Sequence, residues 1–226
     1  MERGSLLKAR AGGKLHGGNH GIAPEEVVAA QRARMLVAMI EAAADKGYAA
    51  ATVADVLKRA EVSRMTFYQH FANKEACFLA AYDMAVEIVM TRITGALAAD
   101  GTPLERIDRA LDAYFSTLAQ EPQVAKVFLV EVYAAGRPVL ERRLATQAAL
   151  VDGFAEALGA TRPHQQLAGE AVIGAVVSLA TNRVVAGDFA ALAGLREPLM
   201  SSLIRNLVCG RTVVRRPRAA DPASPR

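Results

Sequence analysis

TVADVLKRAEVSRMTFYQHFANK, residues 52–74, is the stretch from which the fold follows. Thr52 and Asp55 make a capping-box-like start, in which hydroxyl and carboxylate each satisfy a backbone N–H that the first helical turn leaves free. Val53, Val56 and Leu57 supply an apolar stripe up to Ala60. After the break Glu61-Val62-Ser63, Ser63 is positioned to cap a second helix, Arg64 to Phe71. On it Phe67 and Phe71 sit four apart and face inward with Val62 close by, which leaves Arg64, Thr66, Tyr68, Gln69 and His70 on the outer face. Asn73, followed by Glu75, caps a third helix. A short helix, a tight turn and a second helix edged with hydrogen-bonding side chains describe a helix-turn-helix, whose second helix enters the DNA major groove.

Gly47-Tyr48, Thr52, the run AEVS over 60–63, Thr66-Phe67-Tyr68-Gln69-His70-Phe71 and Asn73-Lys74-Glu75 together resemble the TetR-family DNA-binding domain, over about residues 30–80. The rest of the chain resembles that family in length and helical layout. The resemblance implies an all-α protein with an N-terminal three-helix helix-turn-helix domain and a C-terminal helical domain for ligand binding and dimerisation. One residue departs from it. The family's turn usually reads Ala-Gly-Val-Ser, and here Glu61 replaces the glycine. A non-glycine residue held at φ > 0 costs about 1–2 kcal/mol, and Glu61 also puts a negative charge near the docking surface.

Readout of DNA requires donors and acceptors at base edges and cations at phosphates. Arg64 suits a bidentate pair with guanine, Gln69 suits adenine, and Thr66 a base edge or a thymine methyl. Met65 lies among them and belongs to the same DNA-facing set. Tyr68 and His70 match family positions that hydrogen-bond phosphate, and Lys74 matches the phosphate-binding lysine beyond the recognition helix. Thr52 has two readings, since a capped helix start also presents N–H groups to phosphate.

Charge alone does not mark the head. The net +4 comes from the ends, with +3 in residues 1–24 and +4 in 209–226, whereas 25–75 holds seven basic and seven acidic residues. Hydrophobic residues make up 52% and aromatics 5% of the 226 residues, a balance that favours helices over sheets. Cys77 and Cys209 show no metal or redox spacing, and a cytoplasmic setting fits them. The longest uncharged run, 171–182, is too short to span a bilayer, and the N-terminus has no apolar h-region, so neither membrane partner nor signal peptide is expected. A Gly-rich phosphate loop, a serine nucleophile elbow and a His/Cys/Asp cluster are all missing, so no catalytic residue, metal ligand or cofactor is assigned and an enzyme is not expected. The alternative is an all-helical ligand-binding protein or enzyme without DNA affinity.

Four segments follow: a disordered basic arm over 1–23, the DNA-binding domain over 24–75, an effector-binding and dimerisation domain over 76–209, and a disordered basic tail over 210–226. His16 and His20 read as mobile polar residues of the arm. Pro24 opens the first long helix, which buries Leu36, Ile40 and Ala43 and is stopped by Gly47. The helix from Asn73 to about Ala98 runs from the head into the second domain. Pro103, Pro122, Pro138 and Pro163 open its successors, and a last helix runs from about Pro198 to Cys209. No segment alternates with period two, so no sheet is expected. The helix over 163–187 is rich in small residues and, with Leu199, Leu203 and Leu207, is expected to form a homodimer interface, as the resemblance also implies. A small, largely apolar effector is expected in the second domain, with Phe115, Phe128, Tyr133 and Phe154 as candidate cavity walls. Asn182 and Arg183 suit either the ligand's polar end or an acidic partner across the dimer.

Overall fold

The computed structural model describes residues 5–10 and 23–204, and every regular element among them is helical. The head is built from α2 (Pro24–Lys46), α3 (Val53–Ala60), α4 (Arg64–His70) and the first turns of α5 (Lys74–Ala98). Pro24 with Glu25 and Glu26 begins α2, and Gly47, at φ 80°, ends it by donating its N–H to the Ala43 carbonyl. Met35, Met39, Ile40, Val56, Phe67 and Phe78 are sealed from solvent beneath these helices. The rings of Tyr48 and Phe78 meet at 4.6 Å, which fastens the loop after α2 to α5.

The body comprises α6 (Pro103–Gln120), α7 (Pro122–Leu129), a 3₁₀ turn (Glu131–Ala134), α8 (Arg137–Leu158) and α9 (Pro163–Val185). A second 3₁₀ turn (Ala190–Leu195), α10 (Arg196–Leu199) and a π-turn (Met200–Ile204) complete the described residues. Thr102 and Glu105 form a full capping box before Pro103, so α6 starts where the sequence places it. Arg196 grips Asp108 of α6 in a fork at 2.8 and 2.6 Å and reaches Asp112 at 3.1 Å, which holds the last helical segment to the body. The long α5 is shared: Phe78 packs in the head, and Tyr82 stacks on Phe128 of α7 at 6.2 Å.

By length and composition α9 could cross a bilayer. One face of it, Val172, Val176, Ala180 and Val184, is instead built into the core. The opposite face carries exposed apolar side chains, with Leu167 and Val185 each 67% open.

The arm departs from expectation. Leu6–Arg10 form a short helix, α1, with Leu7 buried and Arg10 paired to Glu87 at 2.7 Å. Its anchor is Glu121, only 5% exposed, which accepts from the Ser5 hydroxyl at 2.8 Å and from the Leu6 N–H. A buried carboxylate must find donors, and here the arm supplies them. His16 and His20, residues 205–209 of the expected last helix, Leu207 among them, and the 210–226 tail lie outside the described residues.

Candidate nucleic-acid interface

Local hydrogen bonds define the helix-turn-helix. Thr52 accepts from the Asp55 N–H, and Asp55 accepts from the Thr52 N–H at 3.0 Å and from its hydroxyl at 2.8 Å. The Lys46 ammonium at 2.5 Å and these Thr52 donors hold the Asp55 carboxyl well below the usual range. At the other end of α3, Glu61 adopts φ 53°, the single non-glycine residue with positive φ among the described residues. The N–H groups of Glu61 and Val62 both turn back to the Leu57 carbonyl, closing the turn. Glu61 therefore occupies the left-handed position that glycine fills without strain. Glu61→Gly is expected to raise head stability by about 1 kcal/mol. An unchanged or lower thermal midpoint would contradict this.

Ser63 caps α4 by accepting from the Thr66 N–H at 3.0 Å, and the two hydroxyls share a further hydrogen bond of 2.9 Å. Thr66 is thus half-buried, with its hydroxyl engaged within the helix start. Phe67 is fully buried, with Phe71 beside it at 5.6 Å. Because these rings face inward, Arg64, Met65, Tyr68 and Gln69 are turned outward; Met65 is 73% and Tyr68 50% exposed. An apolar Met and Tyr so open on a seven-residue helix form a surface suited to a partner rather than to water.

His70 closes the row, half-buried. Burial, and to a lesser degree the Arg32 charge, push its pKa below the usual histidine value. The Arg32 guanidinium stands 5.1 Å over the Phe71 ring, which brings a cation from α2 to the same edge.

Lys74 has a different occupation from the one the resemblance implies. Its ammonium donates to the carbonyls of Tyr48 at 3.0 Å, Ala51 at 3.1 Å and Ala49 at 3.4 Å, and lies 4.2 Å from the Tyr48 ring centre. All three donors of the ammonium are satisfied inside the head, so it ties the 48–51 loop to α5 and holds Thr52 in place. Lys74→Met is expected to cost about 1–3 kcal/mol of stability and to weaken every DNA sequence alike. It should leave the slope of log affinity on log salt unchanged. A slope reduced by about one would show that Lys74 contacts phosphate directly.

The same loop is held from the body side. The Tyr48 N–H donates to Glu131 at 2.7 Å, and Lys126 donates to the Ala44 carbonyl at 3.1 Å near the end of α2. These two ties from α7 and its following turn escape sequence reading because each joins residues more than eighty positions apart. Cys77 is buried behind the loop, and burial pushes its thiol up to about 12, which keeps it inert as a redox group.

The expected effector residues separate into groups. A cavity of about 650 Å³, counted with its open mouth, lies between α5, α6, α8 and α9 and has Phe154 in its wall. Phe128 lines a narrower neighbouring cavity, while Tyr133 and Asn182 line a polar opening. Phe115 is core, packed beside Tyr114 at 5.3 Å, and neither it nor Arg183 lines any of the three.

A capped helix, a left-handed turn and a second helix with a buried aromatic underside define a helix-turn-helix DNA-binding head on a helical body. Residues 36–81 match the model of the family described as bacterial regulatory proteins, tetR family. Over this head the chain is similar to that family of transcriptional regulators. It is 28% identical over 119 residues to the HTH-type transcriptional activator FasR of Mycolicibacterium smegmatis, covering 52% of this chain and 54% of that one. A second relative, the HTH-type transcriptional regulator YxbF of Bacillus subtilis, is 28% identical over 88 residues, 38% of this chain and 23% of its own. The chain thus spans about half the length of FasR and less of YxbF. The fold is similar to that of the fatty acid degradation regulator FadR from Bacillus halodurans, with TM-score 0.65, 19% identity and coverage of 78% and 97%. The TetR-family regulator SCO4454 from Streptomyces coelicolor is also similar, with TM-score 0.64, 20% identity and coverage of 83% and 97%.

Proposed function

We propose that this regulator is a cytoplasmic, ligand-responsive repressor that binds a near-palindromic operator as a homodimer. The observation that carries the DNA-binding surface is α4 itself, whose Arg64, Met65, Tyr68 and Gln69 stand outward over a sealed Phe67. Arg64 and Gln69 read base edges, and Met65 packs on a thymine methyl. Thr66 stays near the groove floor, with its hydroxyl shared with Ser63. Tyr68 and His70 bind phosphate, joined by the N–H groups that Thr52 leaves at the start of α3.

The homodimer forms through α9 and the last helical segment, 163–187 and 198–209. The exposed apolar face of α9, with Leu167 and Val185 at its ends and small residues between, supports this pairing. Two α4 helices then enter successive major grooves roughly one helical turn apart. A small, largely apolar effector occupies the cavity between α5, α6, α8 and α9. Its response reaches the head through α7 and the turn after it, since Phe128 and Leu129 line the narrow cavity while Lys126 holds the end of α2 and Glu131 the loop before α3. Coupling of this kind is typically worth about 1–3 kcal/mol.

The test is selection of binding sites by the full-length protein from a random double-stranded DNA pool. An enriched inverted repeat is expected, and enrichment of nothing, with or without a small-molecule extract, would remove the reading. Transcription in vitro from a promoter carrying the selected site then distinguishes repression from activation, the role stated in FasR's name.

A further inference from the structure

The three body cavities adjoin. The large apolar one and the narrow one share Leu150 and Val177, and the narrow one shares Arg143, Gln147 and Val177 with the polar opening. Apolar walls such as Met90, Leu97 and Phe154 therefore lie close to a polar opening between α8 and α9.

Two groups in these walls are open to a ligand: one has no hydrogen-bond partner and the other no countercharge. Tyr114 is 4% exposed, lies in the wall of the large cavity, and its hydroxyl has no hydrogen-bond partner. A buried phenol in that condition is costly and rare unless something else completes it. Thr94, also in this wall, is different: its hydroxyl donates to the Met90 carbonyl at 2.9 Å.

Arg143 is the second group. Arg142 pairs with Asp83 at 2.5 Å, Arg137 with Glu141 at 2.7 Å, and Arg196 with Asp108 and Asp112. Arg143 is half-buried and has no carboxylate within ion-pair distance among the described residues. Its contacts are neutral: the Gln147 side-chain oxygen at 2.9 Å and the Tyr133 ring at 4.7 Å from its centre. Arg143 lines the narrow cavity, which shares Leu150 and Val177 with the cavity that Tyr114 lines, so cation and orphaned phenol stand in the walls of adjoining spaces.

We infer that the body binds an anionic amphiphile, its apolar chain in the Phe154 cavity and its anionic end between the Arg143 guanidinium and the Tyr114 hydroxyl. Apolar walls select the chain by area, Arg143 excludes cations and favours a carboxylate, and Tyr114 donates to the same oxygen pair. The inference rests on the proposed effector site and gives its ligand a charge and a polarity. It does not depend on DNA binding.

Isothermal titration calorimetry of the full-length protein without DNA tests it, with decanoate and decan-1-ol as probes below their aggregation limits. Decanoate is expected to bind at least about tenfold more tightly than the alcohol of equal chain length. Arg143→Gln should bring decanoate down to the alcohol's affinity, and Tyr114→Phe should weaken decanoate about five- to tenfold. Arg137→Gln, an exposed cation on the same helix, should change neither. Equal binding of the two probes, a carboxylate preference that survives Arg143→Gln, wild-type affinity in Tyr114→Phe, or binding of neither probe would each overturn the inference. Operator binding measured on the same preparation separates such a failure from a failure of the regulator reading.

Discussion

Phe67→Ala is expected to unfold the recognition helix and abolish operator binding, at a cost of about 3–5 kcal/mol. The helix it belongs to is seven residues long, far below the length at which an isolated helix persists in water. Ser63 and Thr66 secure its first turn, but a cap contributes only about 1 kcal/mol. What keeps α4 folded is the fully buried Phe67 ring, set edge-on to Tyr68 at 5.4 Å and beside Phe71 at 5.6 Å. Removing the ring opens a cavity under the helix in a small domain whose whole stability is of the order of 5–15 kcal/mol. The body keeps its own core of α5 to α9 residues and should survive. Chemical denaturation should show an early head transition, and amide exchange should accelerate over residues 64–71 while α6 and α9 stay protected. A loss below about 1 kcal/mol, with operator binding retained, would mean that α4 is held by something other than this ring.

The same residues show how far the sequence was legible. Spacing of four between Phe67 and Phe71, with Ser63 ahead of them, marks the buried side of α4, and the outward side follows by geometry. Glu61 was readable as a strained turn residue because a left-handed position has so few tolerant occupants, and its φ of 53° is that strain made visible. Helix starts at Pro24, Pro103, Pro122 and Pro163 were legible because proline fits a first helical turn and little else in a helix.

What stayed hidden depends on contacts across the chain. Lys74 carries the same sequence signal whether its ammonium meets phosphate or three carbonyls, and only the path of the 48–51 loop decides between them. The arm looked too polar and glycine-rich to fold, yet Leu6–Arg10 are ordered by Glu121, a residue 116 positions from Ser5. In the body, Tyr114 reads as one more member of the α6 apolar stripe. That its hydroxyl ends in a cavity with no partner is a fact of packing between four helices, which periodicity does not encode. The aromatic residues chosen as cavity walls divide for the same reason. Phe115 and Phe154 are equally apolar in sequence, but one fills the core and the other faces open space.

Arg64→Ala is expected to relax base specificity at one base pair in each half-site and to cost about 1–3 kcal/mol per half-site, or twice that for a dimer on a full operator. Arg64 is the first residue of α4 and is exposed, at the end of a recognition helix that commonly meets base edges. A guanidinium there forms a planar fork that matches the two acceptors on the major-groove edge of guanine, and no other base pair offers both. The residue has no part in the cap or the buried underside, so its loss should leave the unfolding free energy within about 0.5 kcal/mol of the parent protein's. Lys74→Met provides the contrast, since it acts through the loop and should weaken all sequences while lowering stability. Competition binding of both variants against operators altered one base pair at a time separates the two roles. If Arg64→Ala loses affinity uniformly across those operators, the guanidinium contacts the phosphate backbone, and the base-reading assignment passes to Gln69 and its neighbours.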